Sequence, residues 1–425
     1  MGTKPKDVRV VEPERNQLEF RTVDLEGALP EDHEARAIWD AVCRLDLSAF
    51  YNEIAARGSA AGRPATDPRV LLALWIYATS QGVGSARELD RLCDSHDAYR
   101  WIRGGVPVNY HTLSDFRVAH GKKLDALMTQ LLTVLMHQEI VTLKRVAQDG
   151  MRVRASAGAA SFRGKASLVQ CRDQAQQQVT ILRAQLEDEP VEQAQRQRAA
   201  KERAAKERAE ALQRALDELP LVEATKERSR ARGKKKVSEA RVSTTDPDAR
   251  VMKMPDGGFR PAYNAQFATD VDSRFIVGVD VSKVGSDMAL MPPMLDAIKK
   301  RTGKLPTEHL VDGGFAGLEA IENAEKLGVK IYAPQLERPT SCEGERQRQD
   351  STEVSQWRAR METEEGKKVY RLRAATAETV NADLRCWRGL DRLRVRGHDK
   401  VRAVVLLAAL TYNLRRAIKQ CGYTA

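Results

Sequence analysis

Residues 163–242 are too polar to bury a core of their own, and they interrupt a series of strand patterns. The stretch carries 19 Lys and Arg against 13 Asp and Glu. It includes "AAKERAAKERA" at 199–209, a repeat of strong helix formers. Its apolar stripe is thin: Val179, Leu182 and Leu186 on one segment, Leu212, Leu216 and Leu219 on the next. With Pro190 and Pro220 as breaks and "RARGKKK" as a basic loop, the spacing predicts a helical hairpin that protrudes as an arm. Strand patterns stand on both sides of it. A sheet in this chain must therefore join its first and second strands across the arm.

Upstream, residues 31–140 read as helices. "PEDHEARAIWDAVCRL" and "LSAFYNEIAARG" have apolar residues at helical spacing, and Gly58 is a C-cap candidate for the second. "TDPRVLLALWIYATSQG" has Thr66 or Asp67 as a cap and Pro68 in the first turn. Ser85 followed by Glu88 makes a capping-box pattern. Arg87, Arg91, Arg100 and Arg103 lie close together there, which suits a helical module that docks on DNA or a bundle whose arginines face water. The short strand "LKRVAQDG" then ends at Asp149-Gly150. Beyond the arm come "AYNAQFATDV", "RFIVGVDVS", a helix in "DMALMPPMLDAIKKRTG", a strand in "EHLVDGG", a helix in "LEAIENAEKLG", a strand in "KIYAPQ" and a last helical region. The order β–(arm)–β–β–α–β–α–β–α predicts a mixed α/β sheet flanked by helices.

Residues 367–419 hold 14 Lys and Arg against the four acids Glu378, Asp383, Asp391 and Asp399, nearly all of the whole-chain net charge of +11. Such a patch is the footprint of a phosphate-rich partner. Within it Glu378 stands between Arg371 and Arg385, seven residues to either side and so on one helical face. A lone carboxylate there is either a solvated ion-pair partner or a metal ligand beside a polyanion. Asp149 and Asp312 each close an apolar strand with Asp-Gly, which taken singly is a turn signal. Together, carboxylates at two strand ends and a third on a helix are the ligand set of a two-metal phosphoryl-transfer site. Asp270, Asp272 and Asp287 are the rivals. Asp270-Val-Asp272 reads as a hairpin turn, and Asp287 as the cap of a helix.

The motifs resemble bacterial insertion-sequence transposases of the DDE class, and most closely the insertion-sequence eleven-eighty-two type. The resemblance rests on "RPATDPRVLLALWIYATSQGVGSARELDRLC", "RWIRGGVPVNYHTLSDFR", "DGMRVRASAG", "TDPDARVM", "YNAQFATD", "LVDGGFAG", "YRLRAATAETVNADLR" and "GLDRLRVRGHDKV". It implies an RNase H-like catalytic domain with Asp149, Asp312 and Glu378 as catalytic metal ligands for two Mg²⁺ ions, for which Mn²⁺ substitutes. It also implies DNA contacts from Tyr370, Arg371, Arg373, Arg385 and Arg396, with Arg87 and Arg91 in front. Tyr370, Arg373 and Glu378 match the family's Tyr-x2-Arg-x4-Glu-x6-Lys signature, but position 385 is Arg where Lys is usual. Met151 stands where a small polar residue is usual.

The expected layout is an N-terminal extension over 1–30, an all-α DNA-binding domain over 31–142 and a catalytic domain over 143–425 holding the 163–242 insertion. The expected function is Mg-dependent cleavage and strand transfer at terminal inverted repeats, with transposon-end and target DNA as partners and a homodimer in the DNA complex. The alternatives are a catalytically inactive end-binding descendant and another RNase H-like nuclease. "AVVLLAAL" at 403–410 is too short to span a bilayer, which takes roughly 20 residues. The first residues lack the apolar core of a signal peptide, and six scattered Cys form no CxxC pair. These features predict a cytoplasmic bacterial protein, with the nucleoid as its place when bound.

Overall fold

The computed structural model describes residues 24–56, 64–187, 192–231, 238–335 and 350–421. Gly58, Pro190 and most of the "RARGKKK" loop lie outside them. Seven helices come first: α1 (Glu34–Cys43), α2 (Ser48–Tyr51), α3 (Pro68–Ser80), α4 (Ala86–Ser95), α5 (Asp97–Arg103), α6 (Tyr110–Ala119) and α7 (Gly121–His137). Their starts follow the sequence signals. The Asp67 carboxylate accepts from Arg69 N at 2.8 Å with Pro68 beside it, and Ser85 Oγ accepts from Glu88 N at 3.4 Å.

The sheet is mixed. Strand β1 (Arg145–Arg154) lies at its centre, antiparallel to β5 (Phe259–Asp270) on one side and parallel to β7 (Glu308–Leu310) on the other. β8 (Lys330–Tyr332) continues in parallel beyond β7, and the far edge of β5 carries β4 (Arg250–Lys253) and β6 (Ile276–Ser282), both antiparallel. A separate pair, β2 (Phe162–Arg163) and β3 (Val242–Ser243), closes the base of the arm. α10 (Met291–Thr302) and α11 (Leu318–Lys326) connect the later strands. α12 (Thr352–Glu362), α13 (Glu364–Arg373), a π-helical turn (Ala374–Glu378), α14 (Thr379–Cys386) and α15 (His398–Cys421) follow.

Three expectations need correction. β1 does not stop at Asp149-Gly150; its ladder with β5 runs on to Arg154, because Met151 and Val153 find buried partners in Ala265 and Tyr263. Pro220 does not end a helix. It sits inside α9 (Glu192–Ala231), which packs on α8 (Lys165–Glu187). The missing Pro220 N–H removes one helical bond, which the continuing helix on either side and the buried Leu219 offset. Thirdly, the front helices do not close a core by themselves. α15 lies among them, and Val405, Leu406, Ala409 and Leu410 are buried in one cluster with Leu72, Leu74, Leu131 and the sheet residues Val153 and Phe267. Sequence alone could not show this, since α15 follows α7 by more than 250 residues.

The arm has its own small core of Leu168, Ala175, Leu212, Ala215, Leu219 and Val242. It is tied to the body by charge: Glu218 pairs with Arg250 and Lys283, and Lys283 with Asp248. Arg163 and Val242 are directly paired across β2 and β3, so a short Gly/Ser link can replace residues 164–241. We expect that deletion to leave a protein with a cooperative melt, its Tm lowered by only a few degrees. Loss of cooperative unfolding, followed by circular dichroism, would show that the arm belongs to the main core.

Candidate functional site

Side chains alternate along β1, so Asp149 points to one face and Gln148, Gly150 and Arg152 to the other. On the Asp149 face lie α13, the π turn and α14. Asn381 Nδ2 donates to Asp149 Oδ2 at 3.1 Å, and Arg373 Nη1 stands 3.7 Å from the same oxygen. Arg373 also reaches Glu378, Nη2 to Oε1 at 3.4 Å. The guanidinium thus lies between two of the three predicted carboxylates, itself mostly buried at 13% side-chain exposure while Glu378 is exposed at 64%.

This arrangement depends on the π turn. In an α-helix, residues five apart are turned about 140° from one another, from 3.6 residues per turn. The wider π winding over Ala374–Glu378 brings Arg373 and Glu378 round to one side. Arg274 donates to Ala375 O and so ties the same turn to the β5–β6 hairpin.

Asp312 follows β7 and caps the 3₁₀ turn Gly313–Phe315, its Oδ1 accepting from Gly314 N at 2.8 Å. Burial pushes the Asp149 carboxyl up to about 6, the neighbouring charge of Arg373 pulls it down, and the negative charges of Asp312 and Asp287 raise it further. A carboxylate held this way, beside a second one and with one guanidinium to balance it, is the electrostatic condition that a divalent cation relieves. Two carboxylates, Asp149 and Asp312, are thus of the oxygen-donor chemistry that a hard divalent cation takes. Glu378 is held by Arg373, and among the described residues no group of three or more His, Cys, Asp or Glu side chains could hold an ion.

The remaining candidates are dispersed. Tyr370 is half-buried, with the Arg373 guanidinium carbon 6.0 Å from its ring centre. Arg371 is exposed and Arg385 half-buried, and neither has an ion pair among the described residues. The bland partners of Arg385 are taken: Glu378 pairs with Arg373, and Asp383 with Arg388. Arg87 and Arg91 are exposed on α4, and the Arg87 guanidinium lies over the Tyr110 ring at 5.2 Å. Arg396 donates to Ser156 O at 3.1 Å and lines a separate cleft of about 1430 Å³ between the arm and the body. None of the three carboxylates lines that cleft.

Of the rivals, Asp270 anchors the β5–β6 hairpin, accepting from Ser273 N at 2.9 Å and Leu143 N at 3.1 Å. Asp287 is not a helix cap, because α10 begins at Met291 with Leu290 as its cap residue. Asp287 is instead buried behind β1, where Asn264, Gln266 and Arg152 all donate to it. Sequence reading missed this group, and it also missed Asn381. The available signal was "YNAQF", in which two amides, Asn264 and Gln266, share one face of a buried strand.

Two family models match the chain: "Transposase DDE domain" over residues 240–414 and "Transposase domain (DUF772)" over 23–119. No curated protein and no solved structure matches it. The first match takes in Asp287, Asp312 and Glu378. β1 with Asp149 lies outside both, cut off from the matched stretch by the arm.

Held near 6 where a free carboxyl has 3.8, Asp149 takes its proton more readily in the folded chain than in the unfolded one. The folded chain is thus penalised wherever Asp149 is ionised: not below about pH 4, and by roughly 3 kcal/mol above pH 7. Asp149→Asn is expected to raise the Tm of the metal-free protein by a few degrees at pH 7.5 and to leave it unchanged near pH 4. A Tm that falls at both pH values would mean that Asp149 is a stabilising residue.

Proposed function

Because the chain belongs to the DDE transposases of insertion sequences, we propose that it binds the inverted-repeat ends of its element and cuts and rejoins DNA there by metal-dependent phosphoryl transfer. The observation that carries this reading is the partly buried Asp149 carboxyl, which burial and the negative charge of Asp312 push up, with Arg373 between it and Glu378. The strand order, with β1 between antiparallel β5 and parallel β7, supports an RNase H-like sheet. A divalent cation, Mg²⁺ or Mn²⁺, held by Asp149 and Asp312 would polarise the scissile phosphate and lower the pKa of the attacking hydroxyl. Glu378 is the third carboxylate of the set.

Arg373 keeps Asp149 and Glu378 neutralised while DNA is absent. Its fork of N–H donors then faces an incoming phosphate, to which it can bind bidentately. Arg371 and Arg385, which carry no ion pair among the described residues, extend the contact along the strand. The front helices bring Arg87 and Arg91 to the DNA, and two copies act together on paired ends. Among the described residues no helix is long and apolar enough to cross a membrane.

The pairing of Glu378 with Arg373, where a metal site needs it as a ligand, favours one other reading, an end-binding protein that no longer cuts. A single assay decides between them: strand cleavage of a duplex carrying the repeats that flank the gene, with Mg²⁺ or Mn²⁺. Asp149→Ala, Asp312→Ala and Glu378→Ala should each reduce cleavage to background and leave end binding within about twofold, the change being in ligands and not in phosphate contacts. Wild-type protein that binds the ends but never cuts them would establish the second reading.

Arg385 is expected to act on DNA and not on the helix. Arg385→Lys should keep most activity, and Arg385→Ala should weaken end binding by roughly 1–3 kcal/mol and flatten its salt dependence by about one phosphate. An unchanged binding isotherm with a lowered Tm would assign Arg385 to the fold.

A further inference from the structure

One buried carboxylate has no part in the reading above. Asp287 is 9% exposed. Its Oδ1 accepts from Asn264 Nδ2 at 2.6 Å and Gln266 Nε2 at 2.9 Å, and its Oδ2 accepts from Arg152 Nη2 at 2.9 Å. The network continues inward. Gln266 Oε1 accepts from Gln148 Nε2 at 3.0 Å, and Gln148 Oε1 lies 3.0 Å from His309 Nε2. An amide oxygen only accepts, so the His309 proton sits on Nε2 and each link of the chain donates toward Asp287, while Gln148 Nε2 also donates to Leu290 O at 3.1 Å. β1, β5 and β7 each contribute to this chain, and it ends on one carboxylate.

That carboxylate touches the reaction centre from behind. Gly150 follows Asp149, and a Cβ built there would collide with Gln266 Nε2 and stand 2.7 Å from Asp287 Oδ1 and 2.8 Å from Asn264 Oδ1. Only glycine leaves room for the contact. Gly314, two residues after Asp312, would place a Cβ 3.8 Å from the Asp287 Cβ. Asp287 therefore sits between the backbone that carries Asp149 and the turn that carries Asp312.

We propose that Asp287 is a positioning residue of the reaction centre: through Gly150 and Gly314 it fixes the spacing of Asp149 and Asp312, and so their joint affinity for a divalent cation. The inference rests on the metal-dependent reading given above. Partners behind a metal ligand typically change affinity by about 10–100-fold when altered. Here the lever is unusually stiff, because a buried carboxylate with three donors, one of them charged, has no second arrangement of equal energy.

The test measures Mn²⁺ binding to the DNA-free protein by calorimetry, and the Mg²⁺ concentration for half-maximal cleavage. Asp287→Asn keeps the shape but turns an N–H₂ toward groups that donate. It should melt cooperatively, bind end DNA within about twofold of wild type, and weaken both metal readouts by roughly tenfold or more. Saturating Mg²⁺ should restore most of the rate. Gly150→Ala presses on the Asp287 oxygen and on the two amides that hold it, without changing charge, and should show the same pattern; it decides alone if Asp287→Asn does not fold. Wild-type metal readouts in both variants, or a loss that only follows the unfolded fraction, would overturn the proposal. Asp149→Ala serves as the reference. If it abolishes Mn²⁺ binding while the two variants behave as wild type, only the role of Asp287 fails. If it binds Mn²⁺ normally, the site reading itself fails.

Discussion

The antiparallel ladder between β1 and β5 is the interaction on which the rest of the molecule depends. Nine residue pairs, Val146–Asp270 to Arg154–Ala262, join segments separated by the whole arm. Closing a loop of that length has an entropic cost that rises only with the logarithm of its length, so the arm can be long without forbidding the sheet. What the ladder must supply is register. A slip of one residue would exchange the faces of Asp149 and Gly150. The acidic group would then turn toward Gln266 and Asn264, and the backbone could no longer approach Asp287. The two buried amides opposite Gly150 and Arg152 have partners only in the observed register, so the polar network acts against that slip.

The same logic explains why an arginine lies among the carboxylates. Asp149 is partly buried because β1 lies at the centre of the sheet, and an anion drawn out of water needs compensation. Arg373 provides it from a helix whose winding is widened at the right place. An α-helical continuation would carry Glu378 away from Arg373 and leave the guanidinium with Asp149 alone. The π turn thus lets one cation serve two carboxylates, and it is fastened from the hairpin side by Arg274.

Much of this was legible in the sequence, and the parts that were not share a cause. Local signals held: Asp67 and Ser85 cap the helices they precede, and Asp270 holds a hairpin turn. The strand residues were found as well, because β-branched runs and alternation are local. What failed was anything decided by a partner far along the chain. The strand at Asp149 looked finished because Asp-Gly is a turn signal, yet β5 extends it. Asp287 looked like a cap because it precedes a helix, yet its partners come from β1 and β5. Asn264 and Gln266 share a face within "YNAQF", but their partners follow only from the register that sets them opposite Arg152 and Gly150.

The segment after α14 shows how the front helices and the sheet act as one body. Gly389, with φ of 67°, lies so close to Gly82 that any side chain would meet the Gly82 carbonyl, and Arg388 donates to Ser80 O. A few residues on, Leu393 N donates to Arg154 O at 2.8 Å, and Arg154 N donates to Asp391 O at 3.1 Å. The segment therefore grips the loop after α3 at one end and the last residue of β1 at the other, and α15 then returns into the helical core. Glu378 and Arg385 stand just ahead of it on the same chain. A displacement of α3 or α4 has a covalent and hydrogen-bonded route to the strand that carries Asp149. Because the core is shared and closely packed, the front helices cannot shift as a separate unit without opening the cluster that buries Leu72, Leu131 and Leu406.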